Sequence, residues 1–277
     1  MAIYITGDTH GTYDVNKISK LKGKLAKEDY LIVLGDFAVC WDNNGNDNHV
    51  KKFWERYPCT ILFIDGNHEN FTLLNKYPVT EWHNGKVHRI SERIIHLMRG
   101  QIFEIDDYTF FTMGGAASHD CGWKLDKYII ENIKTYHTHN WKTIYERPHV
   151  FDGGGRVSGQ SWWAEEIPSP AEIEDAKENL KKANNTIDHI LTHCPPLGIF
   201  RQFVNNINDN PWNAVLLEFF DWIEENVRFV RWWFGHMHVD TDITGRYTAL
   251  YNSIRIVDVK RGLNEIMVKS AKSTFLA

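Results

Sequence analysis

The sequence contains no long apolar run, no paired cysteines and no excess of basic residues. No segment reaches the roughly 18 consecutive apolar residues of a membrane span, so we predict no membrane partner. The first residues lack the basic and apolar stretches of a secretory signal. None of the four cysteines lies in a Cys-x-x-Cys pair, and their spacing indicates no disulfide framework: Cys40, Cys59, Cys121 and Cys194. These absences predict a cytoplasmic protein with reduced thiols.

The charge balance argues against sequence-independent binding of nucleic acid. The 277 residues include 31 Lys and Arg against 36 Asp and Glu, which gives a net charge of −5. Binding of that kind needs a basic face, so we predict no strong nucleic-acid footprint. Hydrophobic residues make up 43% and charged residues 24% of the chain, which is ordinary for a soluble globular protein and excludes a disordered or fibrous one.

Histidine is present in excess, with 14 residues, and this directs attention to a metal site. Five short apolar runs have the same pattern. Each run is followed, at once or within a few residues, by a potential metal ligand. Runs of β-branched and aromatic residues that end in this way, most of them at a glycine, predict buried strands. The runs cover residues 3–6, 30–34, 61–64, 190–192 and 231–234.

Helical patterns separate these strands. Ser169 caps a helix that begins at Pro170, and Glu172 completes a capping box, so we predict a helix through Leu180. The other segments with helical patterns are 15–25, 50–54 and a stretch from Pro211 through Ile223. The segments predicted as C-terminal strands are 247–251, 253–259 and 265–269.

We predict a single domain over residues 1–277 with an α/β layered core. Strands that alternate with helices and then give way to a β-rich tail indicate such a core with a second sheet. The segment of about 114–168 has no clean period, so we predict an insertion or lid there. Long irregular loops of this kind are usually functional.

Seven potential ligands follow the strands: Asp8, His10, Asp36, Asn67, His193, His236 and His238. The carboxyl ends of strands in an open α/β sheet border one crevice, so we expect these side chains to converge. Asp8 and His10 are two residues apart, as are His236 and His238, so in an extended backbone each pair points to one face.

The donor set favours two transition-metal ions. Nitrogen and oxygen donors without a thiolate suit manganese, iron, zinc or nickel better than calcium or magnesium, and we favour manganese. Seven ligands are too many for one tetrahedral ion but sufficient for two ions that share a carboxylate. Two divalent ions against two carboxylates leave a net positive centre, which attracts phosphate and lowers the pKa of a bound water to give a hydroxide nucleophile.

The motifs occur in the order found in the calcineurin-like metallophosphoesterases, and the sequence resembles that superfamily over about residues 3–240. They are Gly7-Asp8-Thr9-His10-Gly11, Gly35-Asp36, Gly66-Asn67-His68-Glu69, Thr192-His193 and Gly235-His236-Met237-His238. The resemblance implies a four-layer αββα sandwich of two mixed β-sheets flanked by helices. It also implies hydrolysis of phosphoesters.

The resemblance also implies a role for each site residue. One ion would be held by Asp8, His10 and His238. The other would be held by Asn67, His193 and His236, with Asp36 bridging the two. His68 would be the general acid for the leaving group or would contact the phosphate, whereas Glu69 would shape the turn.

The sequence departs from the protein Ser/Thr phosphatases of this superfamily. Their second motif continues as Gly-Asp-x-x-Asp-Arg-Gly and their third as Gly-Asn-His-Glu-x-Arg, but this chain has Val39, Cys40 and Phe71 at the later Asp and Arg positions. The missing arginines weigh against a phosphoprotein phosphatase. They also leave open what orients His68, with Asp42, Asp65 or a backbone carbonyl as candidates.

A second resemblance concerns the two ends of the insertion. Residues 114–118 (Gly-Gly-Ala-Ala-Ser) and 160–166 (Gln-Ser-Trp-Trp-Ala-Glu-Glu) are similar to a Gly-Gly-Ala…Ser-Trp-Trp-x-Glu-Glu pattern of bacterial and phage-type metallophosphoesterases. We expect Trp162 and Trp163 to pack in the lid rather than to stack on a base. His137 and His139 are predicted to be surface or lid residues and not ligands. His119 is predicted to have a structural role, with contact to a substrate phosphate as the alternative.

The expected substrate is a phosphorylated small molecule, either a phosphodiester or a phosphomonoester, nucleotides included. The absent arginines favour diesters or nucleotides, because a dianionic monoester gains most from extra cations. The alternatives are a non-catalytic metal-binding scaffold of the same fold and a phosphoprotein phosphatase. A metallo-β-lactamase-type enzyme is excluded, because its His-x-His-x-Asp-His run is absent.

Overall fold

The computed structural model describes residues 1–42, 45–118, 159–204 and 213–257, and within these ranges the strands form two mixed sheets. The first sheet, in the order β13-β1-β2-β3-β6-β5-β4, consists of β1 (Ile3–Thr6), β2 (Tyr30–Leu34), β3 (Thr60–Ile64), β4 (Val79–Trp82), β5 (Gly85–Arg89), β6 (Ile94–Leu97) and β13 (Ile254–Val257). The second sheet, in the order β11-β12-β10-β9-β8-β7, consists of β7 (Gln101–Ile105), β8 (Tyr108–Met113), β9 (Thr186–Thr192), β10 (Arg228–Phe234), β11 (Thr241–Ile243) and β12 (Tyr247–Ala249).

The helices in the described ranges are α1 (Gly45–Trp54), α2 (Phe71–Leu74), α3 (Pro170–Lys182), α4 (Leu197–Phe200) and α5 (Asn213–Asn226). Short 3₁₀ turns cover Ile18–Leu21 and Ala164–Glu166. The predicted capping box of α3 is confirmed. The hydroxyl of Ser169 accepts from the backbone N–H of Glu172 at 3.2 Å, and the Glu172 carboxylate accepts from the Ser169 N–H at 2.7 Å. Both bonds satisfy N–H groups that a helix start leaves open.

Alternating side chains divide the core into three layers of apolar contacts, because neighbouring residues of a strand point to opposite faces. In β2, Ile32 and Leu34 pack against the second sheet, whereas Leu31 and Val33 pack with the α1 residue Trp54. The outer face of the second sheet packs against α3 and α5. Helix, sheet, sheet and helix therefore follow one another, as the resemblance implied.

The five strands predicted from the apolar runs are confirmed, but the helix predicted over 15–25 is wrong. Only residues Ile18–Leu21 form a short turn there, and the chain reverses at Gly23 with a φ of 73°. The side chain of Lys17 is directed inward to the carbonyl oxygens of Gly7 and Asp8 instead of lying along a helix. The strand predicted over 247–251 ends at Ala249.

Five strands between residues 79 and 113, β4 to β8, were not predicted. Strand β4 alternates exposed and half-buried residues at the edge of the first sheet, so it carries no apolar run. Three predictions fall wholly or partly outside the described residues. They are the strand over 265–269, the helix start at Pro211 and most of the insertion. The prediction of a single domain stays a prediction.

Three of the four cysteines lie in the described ranges. Cys40, Cys59 and Cys194 are buried and free of disulfides. No helix in the described ranges is long and apolar enough to cross a membrane.

One buried histidine makes the stability of the fold sensitive to acid. His189 on β9 lies in the core, where its Nδ1 accepts from the indole N–H of Trp233 at 3.2 Å. Burial lowers the pKa of His189 to about 4. Because the unfolded chain binds a proton at a higher pH than the folded protein does, this stability is present above about pH 6.5 and is lost as the pH falls towards about 4.

Replacing His189 by Gln should remove this part of the acid sensitivity. Between pH 7 and about pH 4.5 we expect the free energy of unfolding to fall by about 2–3 kcal/mol less in His189→Gln than in the parent protein. Urea denaturation at the two pH values measures the difference. His83→Gln, at an exposed position, is the control and should follow the parent. Equal losses in the parent and His189→Gln would contradict the account.

Candidate metal centre

The seven predicted ligands meet where the carboxyl ends of the two sheets face each other. Two hydrogen bonds tie the loops of the two sheets together at this point, and a third joins two loops of the second sheet. The Nδ1 of His193 bonds to the carbonyl oxygen of Leu34 at 2.7 Å. The backbone N–H of Gly235 donates to the carbonyl oxygen of His193 at 3.1 Å. The N–H of His236 donates to the Oδ1 of Asp8 at 3.1 Å. The expected convergence therefore occurs.

Four of the ligands form one compact group: Asp8, His10, Asp36 and His238. One ligand atom from each lies within 4.8 Å of all the others. The Nε2 of His10 is 3.3 Å from the Oδ2 of Asp36, and the Nε2 of His238 is 2.9 Å from the Oδ2 of Asp8. These are the residues that the resemblance assigned to one ion, together with the bridging carboxylate.

The other three ligands lie on the opposite side of Asp36. The Nε2 of His193 is 3.3 Å from the Oδ1 of Asp36 and 3.2 Å from the Oδ1 of Asn67. The ring of His236 lies 4.9 Å from that of His193. The two carboxylate oxygens of Asp36 therefore face two different groups of donors.

The expectation of an extended backbone at these ligands is wrong. His10, Asp36, His236 and His238 all adopt left-handed conformations, with φ values of 43°, 49°, 61° and 51°. Such a conformation costs about 1–3 kcal/mol for a residue with a side chain and persists only where surrounding contacts impose it. Met237 points away and packs against the apolar core, as expected.

Glycines allow the loops to approach the ligands closely. A Cβ at Gly66 would collide with the carboxylate and backbone of Asp36, and one at Gly235 would collide with the carboxylate of Asp8. Neither glycine has a positive φ. Space for the neighbouring ligand, rather than an unusual turn, therefore requires glycine at these two positions.

The charges at the site fit a cation. Asp8 and Asp36 are buried, and the buried Oδ2 of Asp8 has no hydrogen-bond partner of good geometry. Burial alone would raise the pKa of both carboxyls, but the neighbouring histidines, with His193 contributing most, together outweigh burial and lower it. Burial alone would lower the pKa of His193, yet Asp36 and Asp8 raise it to about 10. Two buried carboxylates thus need positive charge between them.

The comparison with known proteins agrees with this geometry. The family model of the calcineurin-like phosphoesterases matches residues 1–240. The chain belongs to this family. The family membership makes the protein a metal-dependent phosphoester hydrolase in general terms. A search of curated proteins found no match.

Further contacts hold the ligands of this calcineurin-like phosphoesterase in place. Asp14 lies 2.6 Å from the Nδ1 of His10, which leaves the Nε2 for the centre, and carboxylates commonly orient metal-binding histidines in this way. The ring of Tyr251 stacks on that of His238 with centroids 4.4 Å apart. Beneath Asp8, the buried ammonium of Lys17 bonds to the carbonyl oxygens of Gly7, Asp8 and Tyr251.

Glu69 shapes the turn, as predicted. Its carboxylate accepts backbone N–H groups of Phe37 at 2.7 Å, Ala38 at 3.1 Å and Gly66 at 2.6 Å. Asp65, one of the candidates for orienting His68, is bonded to Arg99 at 2.8 Å and to His96 at 3.2 Å. These bonds make Asp65 part of a buried ion-pair network.

A cavity of about 360 Å³ opens beside His10 and His68. Tyr13, Trp41 and Asp42 contribute to its walls. The loop that carries Trp41 is fixed by Asp47, whose Oδ1 accepts the backbone N–H groups of Trp41 and Asp42 at 2.9 and 3.0 Å. Asp42 thus shares a cavity with His68 and stays a candidate for orienting it.

The positions that carry arginines or acids in the protein phosphatases are apolar and buried in this phosphoesterase. Val39, Cys40 and Phe71 are exposed by only 2%, 5% and 4%. Trp162 and Trp163 are also buried, as expected for packing residues. His119, His137 and His139 lie outside the described residues.

Added Mn²⁺ should stabilise the parent protein but not a variant that lacks the Asp36 carboxylate. At a free Mn²⁺ concentration of 100 times the dissociation constant, binding adds about 2.7 kcal/mol to the free energy of unfolding. We expect the melting temperature to rise with Mn²⁺ and fall again with EDTA. Asp36→Asn should lose this response, whereas Asp175→Asn, at an exposed position of α3, should keep it. A full response in Asp36→Asn would contradict the assignment.

Proposed function

We propose that this protein hydrolyses phosphoesters at a centre of two divalent cations. Asp8, His10 and His238 would hold one ion, and three further residues the other: Asn67, His193 and His236. Asp36 would bridge them. The observation that carries the proposal is the position of Asp36, whose Oδ2 faces His10 while its Oδ1 faces His193.

The nitrogen and oxygen donors favour manganese, with iron, zinc or nickel as alternatives. Such ions, when held by these residues, would contact the phosphoryl oxygens of the substrate. They would also lower the pKa of a water enough for it to attack the phosphorus at neutral pH. The ligand loops are already tied across the two sheets by hydrogen bonds, such as that from His236 to Asp8. The donors therefore need little rearrangement to bind.

His68 is proposed to donate a proton to the oxygen of the leaving group. Its backbone N–H donates to the Oδ1 of Asp36 at 2.8 Å, which fixes the residue beside the bridging carboxylate. Its ring lies 5.3 Å from that of His10 and 6.3 Å from that of Trp41, at the wall of the cavity. A histidine in this position can reach a leaving group that occupies the cavity.

The cavity supports a phosphodiester or a nucleotide as the substrate class. Among the described residues that line it, none is lysine or arginine, and Tyr13 and Trp41 offer aromatic surface. A dianionic monoester gains most from additional cations, and a planar uncharged leaving group fits aromatic walls better. The buried Val39, Cys40 and Phe71 also argue against a phosphoprotein substrate.

The substrate preference can be tested with a matched pair of esters. After loading with Mn²⁺, we expect kcat/KM to be higher for bis-(p-nitrophenyl) phosphate than for p-nitrophenyl phosphate. Asp36→Ala should abolish hydrolysis of both, because it removes the shared ligand. A strong preference for the monoester would contradict the diester assignment. Two bound ions without hydrolysis of any phosphoester would favour the non-catalytic scaffold.

The role of His68 predicts a dependence on the leaving group. His68→Ala should lower kcat by about 10²–10⁴-fold for a diester with an alkyl leaving group, because that alkoxide needs a proton. The loss should be much smaller for a p-nitrophenyl ester, whose leaving group is stable as an anion. Steady-state kinetics on both esters measure the ratio, with His49→Ala on α1 as the control. Equal losses on both esters would rule out proton donation by His68.

A further inference from the structure

The two ends of the insertion converge on a metal ligand. Ser118 closes the Gly-Gly-Ala-Ala-Ser segment, and Glu166 ends the Ser-Trp-Trp-Ala-Glu-Glu segment. Ser118, Glu166 and Asn67 are all buried, with exposures of 0%, 3% and 3%. The proposed reaction assigns no role to this paired motif.

A chain of hydrogen bonds runs from the motif to Asn67. The side-chain amide of Asn67 donates from its Nδ2 to the hydroxyl oxygen of Ser118 at 3.2 Å. The backbone N–H of Ser118 donates to the Oε2 of Glu166 at 2.8 Å, and the backbone N–H of Trp163 donates to its Oε1 at 3.3 Å. Glu166 therefore fixes Ser118, and Ser118 meets the amide nitrogen of Asn67.

This contact selects one orientation of the amide. An asparagine amide has an acceptor end and a donor end, and only the oxygen can bind a cation. Because Ser118 holds the amide nitrogen of Asn67, the Oδ1 of Asn67 faces His193 and lies 3.2 Å from the Nε2 of that histidine. Rotation of the amide would place N–H groups there instead.

A second set of bonds fixes the same segments to the loop that carries Asn67. Arg99 donates to the Oδ2 of Asp65 at 2.5 Å and to the carbonyl oxygen of Glu165 at 2.7 Å. The backbone N–H of Gly115 donates to the carbonyl oxygen of Asp65 at 2.9 Å. Asp65 directly follows β3 and lies two residues before Asn67, so both ends of the insertion are anchored at this ligand loop.

We propose that Ser118 and Glu166 are positioning residues that hold the Asn67 oxygen towards the cation shared with His193 and His236. This inference rests on the proposed two-ion centre. Groups that orient a ligand in this way typically account for 10–100-fold in metal affinity. The insertion thereby contributes to the half of the centre that Asn67 belongs to, through the contact between Ser118 and the Asn67 amide.

The test is a titration of metal-free protein with Mn²⁺ by isothermal calorimetry, together with melting temperatures without metal. We expect the parent to bind two ions. Ser118→Ala should bind one ion with unchanged affinity and the other about 10–100-fold more weakly. Ser91→Ala is the matched control, because its hydroxyl is also buried but lies between β5 and β6; both of its ions should bind as in the parent.

Glu166→Gln provides a second variant. This substitution keeps the side-chain volume but leaves one of the two backbone N–H donors, those of Ser118 and Trp163, without its acceptor. It should therefore weaken binding of the same ion to a smaller extent. If Ser118→Ala does not fold, Glu166→Gln alone tests the positioning role. Unchanged affinities, or equal weakening of both ions, would overturn the positioning role while leaving the proposed function intact. A parent protein that binds only one ion would overturn the two-ion centre and this inference with it.

Discussion

Two carboxylates buried between the sheets, those of Asp8 and Asp36, impose the main constraint on this structure. A buried charge is very costly unless opposite charge or hydrogen bonds compensate it. The backbone N–H of His236 bonds to Asp8, that of His68 bonds to Asp36, and His193 lies between the two carboxylates. The loops after the strands of both sheets have to meet at this point, and a pair of divalent cations would complete the compensation.

The rest of the site follows from this constraint. Left-handed backbone at four ligands is tolerated because cross-sheet hydrogen bonds hold the loops in place. The apolar layers on either side keep the strand ends at fixed positions, whereas the cavity beside His68 is walled by loop residues such as Trp41. The strand ends thus position the ligands, and the neighbouring loops provide the surface that a substrate would contact.

The sequence was sufficient to predict the strands and the convergence of the side chains that follow them, because each apolar run ends in a polar residue of a recognisable type. It could not predict the loop conformation of His10, since spacing of two residues indicates one face only if the backbone is extended. The edge strand β4 carries no apolar run, and the helix predicted over 15–25 overlooked the inward-facing Lys17. Tyr251, which stacks on His238, has no local signal in the sequence, and Ser118 stood out only as the end of a motif of unassigned role, because the roles of both residues depend on contacts across the fold.

The most direct test of the two-ion centre is anomalous diffraction from crystals grown with Mn²⁺. The account predicts two strong peaks on opposite sides of the Asp36 carboxylate, about 3.5–4 Å apart. One peak should lie among Asp8, His10 and His238, and the other beside His193. A lone peak, or peaks away from Asp36, would contradict the account.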